Sequence, residues 1–427
     1  MRTAFGRGGM ARGAVVLGSG TAVAGVLTTL TAPAITRLYD PSELGQYGLL
    51  AAFVNIAAVT LTFRLEMAIV SCPSREEAAR VALLAMLIVP VMTVLSTTVL
   101  LAFIILPIGP YAELPAPWAF LVPIPLGAIG LVSVLRYWVV RREDYVPLSQ
   151  LAVIQSGVRG IGQAGLGLLQ VGALGLFLGD VLGRAAGITR LLFRELPDIA
   201  KSAGWPTWRS ARAMLARYRH YPALSLPSSF VNTLAGALAL PLIGQFYGLD
   251  AAGYYLLVQT LFAGPVAVVG LSVADVFHGR VAALARDAPE RVASVFLRTA
   301  GTLSAIAIPV GAATFLLAPL LFPLIFGSEW QPAGYAAAAL APRMVVHMMV
   351  SPLSRIVYVY NGQGSKLIFD VALLSLSVAS LTGAKLLNLP LVPALSLFAL
   401  ADVVAYAIYA GILWNLVRRS TRAEGSE

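Results

Sequence analysis

The side chains able to do chemistry in this chain recur turn by turn inside long apolar stretches. Gln155, Arg159, Gln163 and Gln170 fall on one narrow stripe at about 100° per residue. Arg343, His347, Ser351 and Ser354 form a second, extended by Tyr358. Ser225, Ser229 and Asn232 make a third, with Gly236 permitting a close approach, and Asn55, Thr62 and Glu66 a fourth. Asp402 stands among apolar residues with Tyr406 and Tyr409 on its face. Long polar side chains on one helix face point into water or protein, not lipid. Such a set suits the holding of a polar or anionic ligand.

It does not suit catalysis. The sequence has no GxxxxGK[ST] phosphate loop, no GxSxG elbow and no HExxH pair. The single cysteine, Cys72, excludes an internal disulfide, and His220, His278 and His347 are too scattered for a zinc site. The sequence implies no cofactor and no metal; the open question is coupling to protons or sodium.

Ionisable groups at bilayer depth are costly and are read as functional by default. Arg159 and Arg343 have no acid at helical spacing and are the leading candidates to hold an anion. Asp180 lies four residues before Arg184, the spacing of an intrahelical pair, and Asp370 one turn from Lys366. For ion coupling Asp402 ranks ahead of Asp180, because only tyrosines share its face; Glu66 is a further candidate. The competing reading for Asp402 is a fixed ion pair with a basic residue on another span. The Ser, Thr and Asn stripes either meet substrate or join helices, and His347 reads as a polar-cavity residue.

The elements that position these groups follow from composition. Of 427 residues, 58% are hydrophobic and 12% charged, against roughly 45–50% and about 25% in soluble domains. A soluble surface needs more charge than this; a lipid-facing one needs none. The chain is therefore read as an integral membrane protein. With about 20 apolar residues per crossing, spans fall near 13–36, 44–63, 81–108, 117–140, 147–170 and 172–193. Six more fall near 223–246, 252–274, 299–326, 333–357, 367–387 and 391–416. Lys and Arg crowd one alternating set of segments, as cytoplasmic loops do, while the other set holds only Arg37 and Lys385. Both termini are thus expected in the cytoplasm. Most of the net charge of +10 is topology, not a nucleic-acid footprint.

The chain also repeats. Pro33, Tyr39, Gly45, Tyr47 and Leu49 align with Pro241, Tyr247, Gly253, Tyr255 and Leu257 at a constant offset. Six spans per copy is an even number, so the copies are parallel, which implies a pseudo-two-fold along the membrane normal and a cavity between lobes. The expected division is an N-terminal lobe (1–193), a basic cytoplasmic linker (194–222) and a C-terminal lobe (223–427). Within the linker, Ser210–Arg219 is read as an amphipathic helix at the inner surface.

These features resemble a known family: the bacterial lipid-linked oligosaccharide flippases, polysaccharide transporters of the MOP superfamily. The resemblance spans nearly the whole chain. It is carried by Leu38–Tyr39–Asp40–Pro41–Ser42–Glu43–Leu44–Gly45–Gln46–Tyr47, by Arg64–Leu65–Glu66–Met67–Ala68, by Tyr221–Pro222 and Asn232, and by Phe326–Gly327–Ser328–Glu329–Trp330. It implies an all-α, MATE-like membrane fold of about twelve helices in two six-helix lobes. It also implies export of an undecaprenyl-diphosphate-linked O-antigen or exopolysaccharide unit across a bacterial inner membrane, with a glycan polymerase and ligase as possible pathway partners. The cavity set on this reading is Asn55, Arg64, Gln155, Arg159, Gln163, Asn232, Arg343 and His347. Arginine suits bidentate phosphate contacts. Two alternatives stand beside it: a MATE-type multidrug or cation antiporter, and a membrane glycosyltransferase or polymerase of the same pathway. Two central arginines argue against the first, and short, nearly uncharged outer loops against the second.

Overall fold

The computed structural model describes residues 7–204, 208–360 and 362–423, and all regular structure among them is helical. The first part of the chain forms α1 (Arg7–Thr36), α2 (Pro41–Ala58), the one-turn α3 (Ala68–Ser71), α4 (Arg75–Ile105), α5 (Pro123–Arg141), α6 (Val146–Leu168) and α7 (Ala173–Ala185). Next come α8 (Ile188–Ala203), α9 (Trp208–Arg217), α10 (Leu226–Ala237) and α11 (Ala239–Tyr247). The chain continues with α12 (Leu249–Asp287), α13 (Val292–Phe326), α14 (Gln331–Val350), the short α15 (Ile356–Val359), α16 (Gln363–Leu386) and α17 (Leu391–Ala423).

Each of the twelve predicted stretches carries helix, in some cases as two successive pieces. Six described helical segments are long and apolar enough to cross a membrane, seven with α10–α11, which bend by 41° at their break. The described residues divide into two compact units. One holds those up to Ala237, the other those from Leu238 onward together with Asp40–Ser42.

In the first unit α4 begins with a Ser74 N-cap: the Glu77 N–H donates to Ser74 Oγ at 3.1 Å, and Glu76 and Glu77 sit in the first turn. Alanines at 78, 82 and 85 then let α4 pack against Val134, Leu135 and Trp138 of α5. The other side of α4, including Leu87, Val91 and Val94, is exposed. Only 22% of its most apolar window is buried, so this face needs lipid, since no soluble domain leaves so much contiguous apolar surface bare. In the second unit α13 is just as open, whereas α14 is 61% buried and central. Gly334 allows that depth: a Cβ there would lie 2.7 Å from the Ala318 carbonyl oxygen of α13.

Three expectations change. The predicted span 172–193 is broken, because Gly187 adopts a left-handed conformation (φ +73°) between the end of α7 and the start of α8. The span predicted over 44–63 ends at Ala58 as helix, and the chain turns before α3. The linker's amphipathic helix is present over Trp208–Arg217, but it is preceded by a second one, α8. The outermost residues of the two tails, 1–6 and 424–427, lie outside the described set, as does the side chain of Tyr358.

Candidate functional site

The stripe on α6 faces protein. It is turned onto α7 and α1, because α7 presents Gly175, Gly179 and Gly183 one turn apart, a spacing that lets helix backbones approach closely. A Cβ on Gly183 would lie 2.5 Å from Arg159 Cβ, and one on Gly179 2.6 Å from the Gln163 backbone nitrogen. At this contact Gln155 Nε2 donates to the Arg184 carbonyl (2.9 Å) and Gln163 Nε2 to the Leu176 carbonyl (2.9 Å). The Gln163 carbonyl accepts from Tyr39 Oη at 2.7 Å. Gln170, at the end of the stripe, is exposed.

Arg159 has an acid partner after all. Its Nη1 lies 3.8 Å from Asp180 Oδ1 on α7, and its Nη2 donates to Thr28 Oγ1 of α1 at 2.7 Å. Asp180 also accepts from Arg184 Nε at 2.6 Å, the pair expected from their spacing. One almost fully buried carboxylate is therefore shared by two guanidinium groups.

Arg343 is likewise paired, with Asp402 across α14 and α17. Its Nη1 reaches Tyr255 Oη of α12 at 3.5 Å, and its guanidinium lies 4.9 Å from the Phe398 ring centre. Asp402 is fully buried and also accepts from Ser377 Oγ at 3.5 Å. Asp402 thus has a basic partner on another span, the competing reading, and the tyrosines on its face give it no rank ahead of Asp180. A helical wheel sees one helix, and this partner arrives from another. His347 packs 5.0 Å from the Tyr406 ring, which sits 5.1 Å from Phe369. Asp370 pairs with Lys366 at 2.7 Å.

The two nodes also share a short motif, set fourteen residues further apart than the Tyr47–Tyr255 pair. Leu178, Asp180 and Val181 of α7 match Leu400, Asp402 and Val403 of α17. Tyr47, the counterpart of Tyr255, is close enough to Asp180, Arg159 and Arg184 to feel their charges. The buried acid and the tyrosine recur; the arginine comes from a different helix in each half.

Arg64 is held differently. Phe63 and Arg64 both adopt left-handed backbone conformations (φ 52° and 60°), each costing of order 1–3 kcal/mol in a non-glycine residue. This turn follows α2 and aims Arg64 at α10, where Nε and Nη2 donate to Ser229 Oγ at 3.0 and 2.6 Å. Nη1 lies 3.4 Å from Glu66 Oε1, and Glu66 is itself buried and accepts from Thr62 Oγ1. The Arg64 side chain keeps 28% of its exposure. Thus the third and fourth stripes meet through Arg64, with Asn55 and Asn232 exposed on α2 and α10.

The sequence matches the family described as polysaccharide biosynthesis protein over residues 34–334. No curated protein matches the chain in sequence. Among solved structures, the lipid II flippase MurJ in an inward closed conformation superposes with a TM-score of 0.73 at 11% identity, covering 95% of this chain and 91% of that one. A multidrug resistance MATE family transporter of the MOP superfamily, inward-facing, gives 0.66 at 16% identity, covering 95% and 94%. A MOP superfamily transporter from Pyrococcus furiosus gives 0.63 at 14%, covering 95% and 96%. At these identities the likeness is one of fold. The chain therefore belongs to the polysaccharide biosynthesis protein family, and it is a multi-pass, all-helical membrane protein with the MATE-like fold of MOP superfamily transporters.

Proposed function

We propose that this protein is a flippase that moves an undecaprenyl-diphosphate-linked oligosaccharide from the inner to the outer leaflet of the bacterial inner membrane by alternating access. Both termini are cytoplasmic on this reading, and no covalent step is involved. The family places the chain in polysaccharide biosynthesis, and a lipid II flippase shares its fold.

The observation that carries the reading is Arg64. Arg343 is committed to a buried carboxylate, whereas Arg64 and Arg159 each make one longer acid contact and remain partly exposed; of these two, Arg64 makes its shortest hydrogen bonds to the neutral Ser229 hydroxyl and keeps N–H donors to spare. It follows α2 on the side that the basic residues assign to the cytoplasm, where a diphosphate headgroup would be met. Arginine's planar fork suits such a group, and the left-handed turn fixes its aim before substrate arrives. Asn55, Asn232 and His347 serve the glycan on this reading. Gln155, Gln163, Arg159 and Arg343 shape the lobes that carry it, and Asp402, Asp180 and Glu66 remain the carboxylates available for proton or sodium coupling.

The test is surface glycan measured in cells carrying Arg64→Ala and Arg64→Lys, with membrane levels of the protein checked in parallel. Loss of export in the first and partial recovery in the second are expected, because lysine offers a point charge without the fork. Normal export from Arg64→Ala at equal protein level refutes the assignment. Extrusion of organic cations by the same cells, with no defect in glycan, would favour the antiporter instead.

A further inference from the structure

α8 has three sectors, not two. Ile188, Leu191, Glu195, Ile199 and Ala203 are buried against the first unit. Next to them around the helix comes an exposed apolar edge, with Phe193 83% and Leu196 40% exposed. Then comes a basic edge of Arg190, Arg194 and Lys201, also exposed. An apolar edge beside a basic one, on a helix already anchored by its third side, is the pattern of a helix lying in the headgroup plane.

A groove opens between the first turns of α6 and of α8. Arg190 and Arg194 stand along it with Gln150, and Leu151, Ile154 and Leu191 line its apolar part. Ile154 continues along α6 into Val158 and Ile161, spaced four and three residues apart on one face and all exposed. This track is where an acyl chain would run. Arg194 is already shared with Asp144 (2.5 Å) and Glu195 (3.3 Å). Arg190 has no ion pair among the described residues.

We propose that this groove binds an anionic phospholipid of the cytoplasmic leaflet, its phosphate against Arg190 and an acyl chain along Ile154, Val158 and Ile161. Two features select this occupant over a soluble anion: the apolar track continuing from the arginines, and the exposed Phe193 edge beside them. The site is separate from Arg64 and does not depend on what the protein transports.

The experiment reconstitutes the full chain in nanodiscs of phosphatidylcholine with increasing phosphatidylglycerol and reads retained lipid by native mass spectrometry, with thermal midpoint in parallel. Wild type should retain phosphatidylglycerol and gain stability with it. Arg190→Gln should bind it about fivefold more weakly, as expected for one arginine near an anionic surface at about 1 kcal/mol. Val158→Gln should weaken it as well, while both variants melt as wild type does in pure phosphatidylcholine. Arg298→Gln, an exposed arginine of the other unit, should behave as wild type. Equal retention by wild type, Arg190→Gln and Val158→Gln would overturn the proposal. So would an equal loss with Arg298→Gln, which would mean diffuse surface charge. Stabilisation of wild type in pure phosphatidylcholine by inorganic phosphate alone, to the extent that phosphatidylglycerol gives, would overturn the lipid assignment.

Discussion

Asp402 and Arg343 show what a buried charge requires. A carboxylate without water must be matched by a counter-charge and hydrogen bonds, and removing one partner of such a pair costs about 3–5 kcal/mol. Replacing both by apolar residues of similar volume is often neutral. Arg343→Met and Asp402→Leu should therefore each destabilise the protein by roughly that amount, and the double variant should regain most of the loss. Thermal unfolding in detergent, read as a double-mutant cycle, decides it; additive losses would mean that the two side chains serve separate purposes. The cycle also bears on transport. Failure of export in Arg343→Ala alone is ambiguous, since Asp402 is left bare, whereas recovery of gradient-driven export in the double variant would remove Asp402 from the coupling candidates. Neither partner is visible from the other in sequence: 59 residues separate them, and only the packing of α14 on α17 brings them together.

Among the elements, α7 is the most constrained. Its three glycines admit α6 to within backbone contact, and that approach is what puts Arg159 beside Asp180. Gly179→Leu should separate the helices, lower stability and break the node; a melting midpoint unchanged from wild type would refute the packing argument. The linker helix α9 offers a second test. Arg217 pairs with Glu77 at 3.1 Å, and Tyr218 Oη donates to the same carboxylate at 3.0 Å while accepting from Cys72 Sγ at 3.2 Å. Burial pushes the Cys72 thiol above its ordinary range, so little thiolate is present near neutrality. Alkylation of this sole cysteine should be slow in the folded protein and faster in Tyr218→Ala, which opens the cover. Equal rates would mean that the C-terminal end of α9 does not seal Cys72. The existence of α9 was legible from the polar, basic run around it. The break at Gly187 was not, because a lone glycine in an apolar run signals a bend only when the packing on either side demands one.

At the scale of the whole molecule the alternation of basic residues makes a direct forecast. Reporter fusions after Leu114 and Asn388 should read as external and one after Glu195 as internal; an external signal at Glu195 would break the assigned topology. Composition, apolar spacing and the placement of Lys and Arg were enough to determine a helical membrane protein and the approximate position of most of its long helices, because those properties answer to the bilayer, which acts on each segment separately. The motifs and the repeat were enough for the family. What each polar group faces was decided only by tertiary structure. Arg159 and Arg343 looked unpartnered because their acids lie on other helices, and Arg64 gained its place from a left-handed turn at two non-glycine residues. Hydropathy is a property of one segment against lipid, whereas an ion pair between helices is a property of two segments against each other, and the second is fixed only when the helices pack.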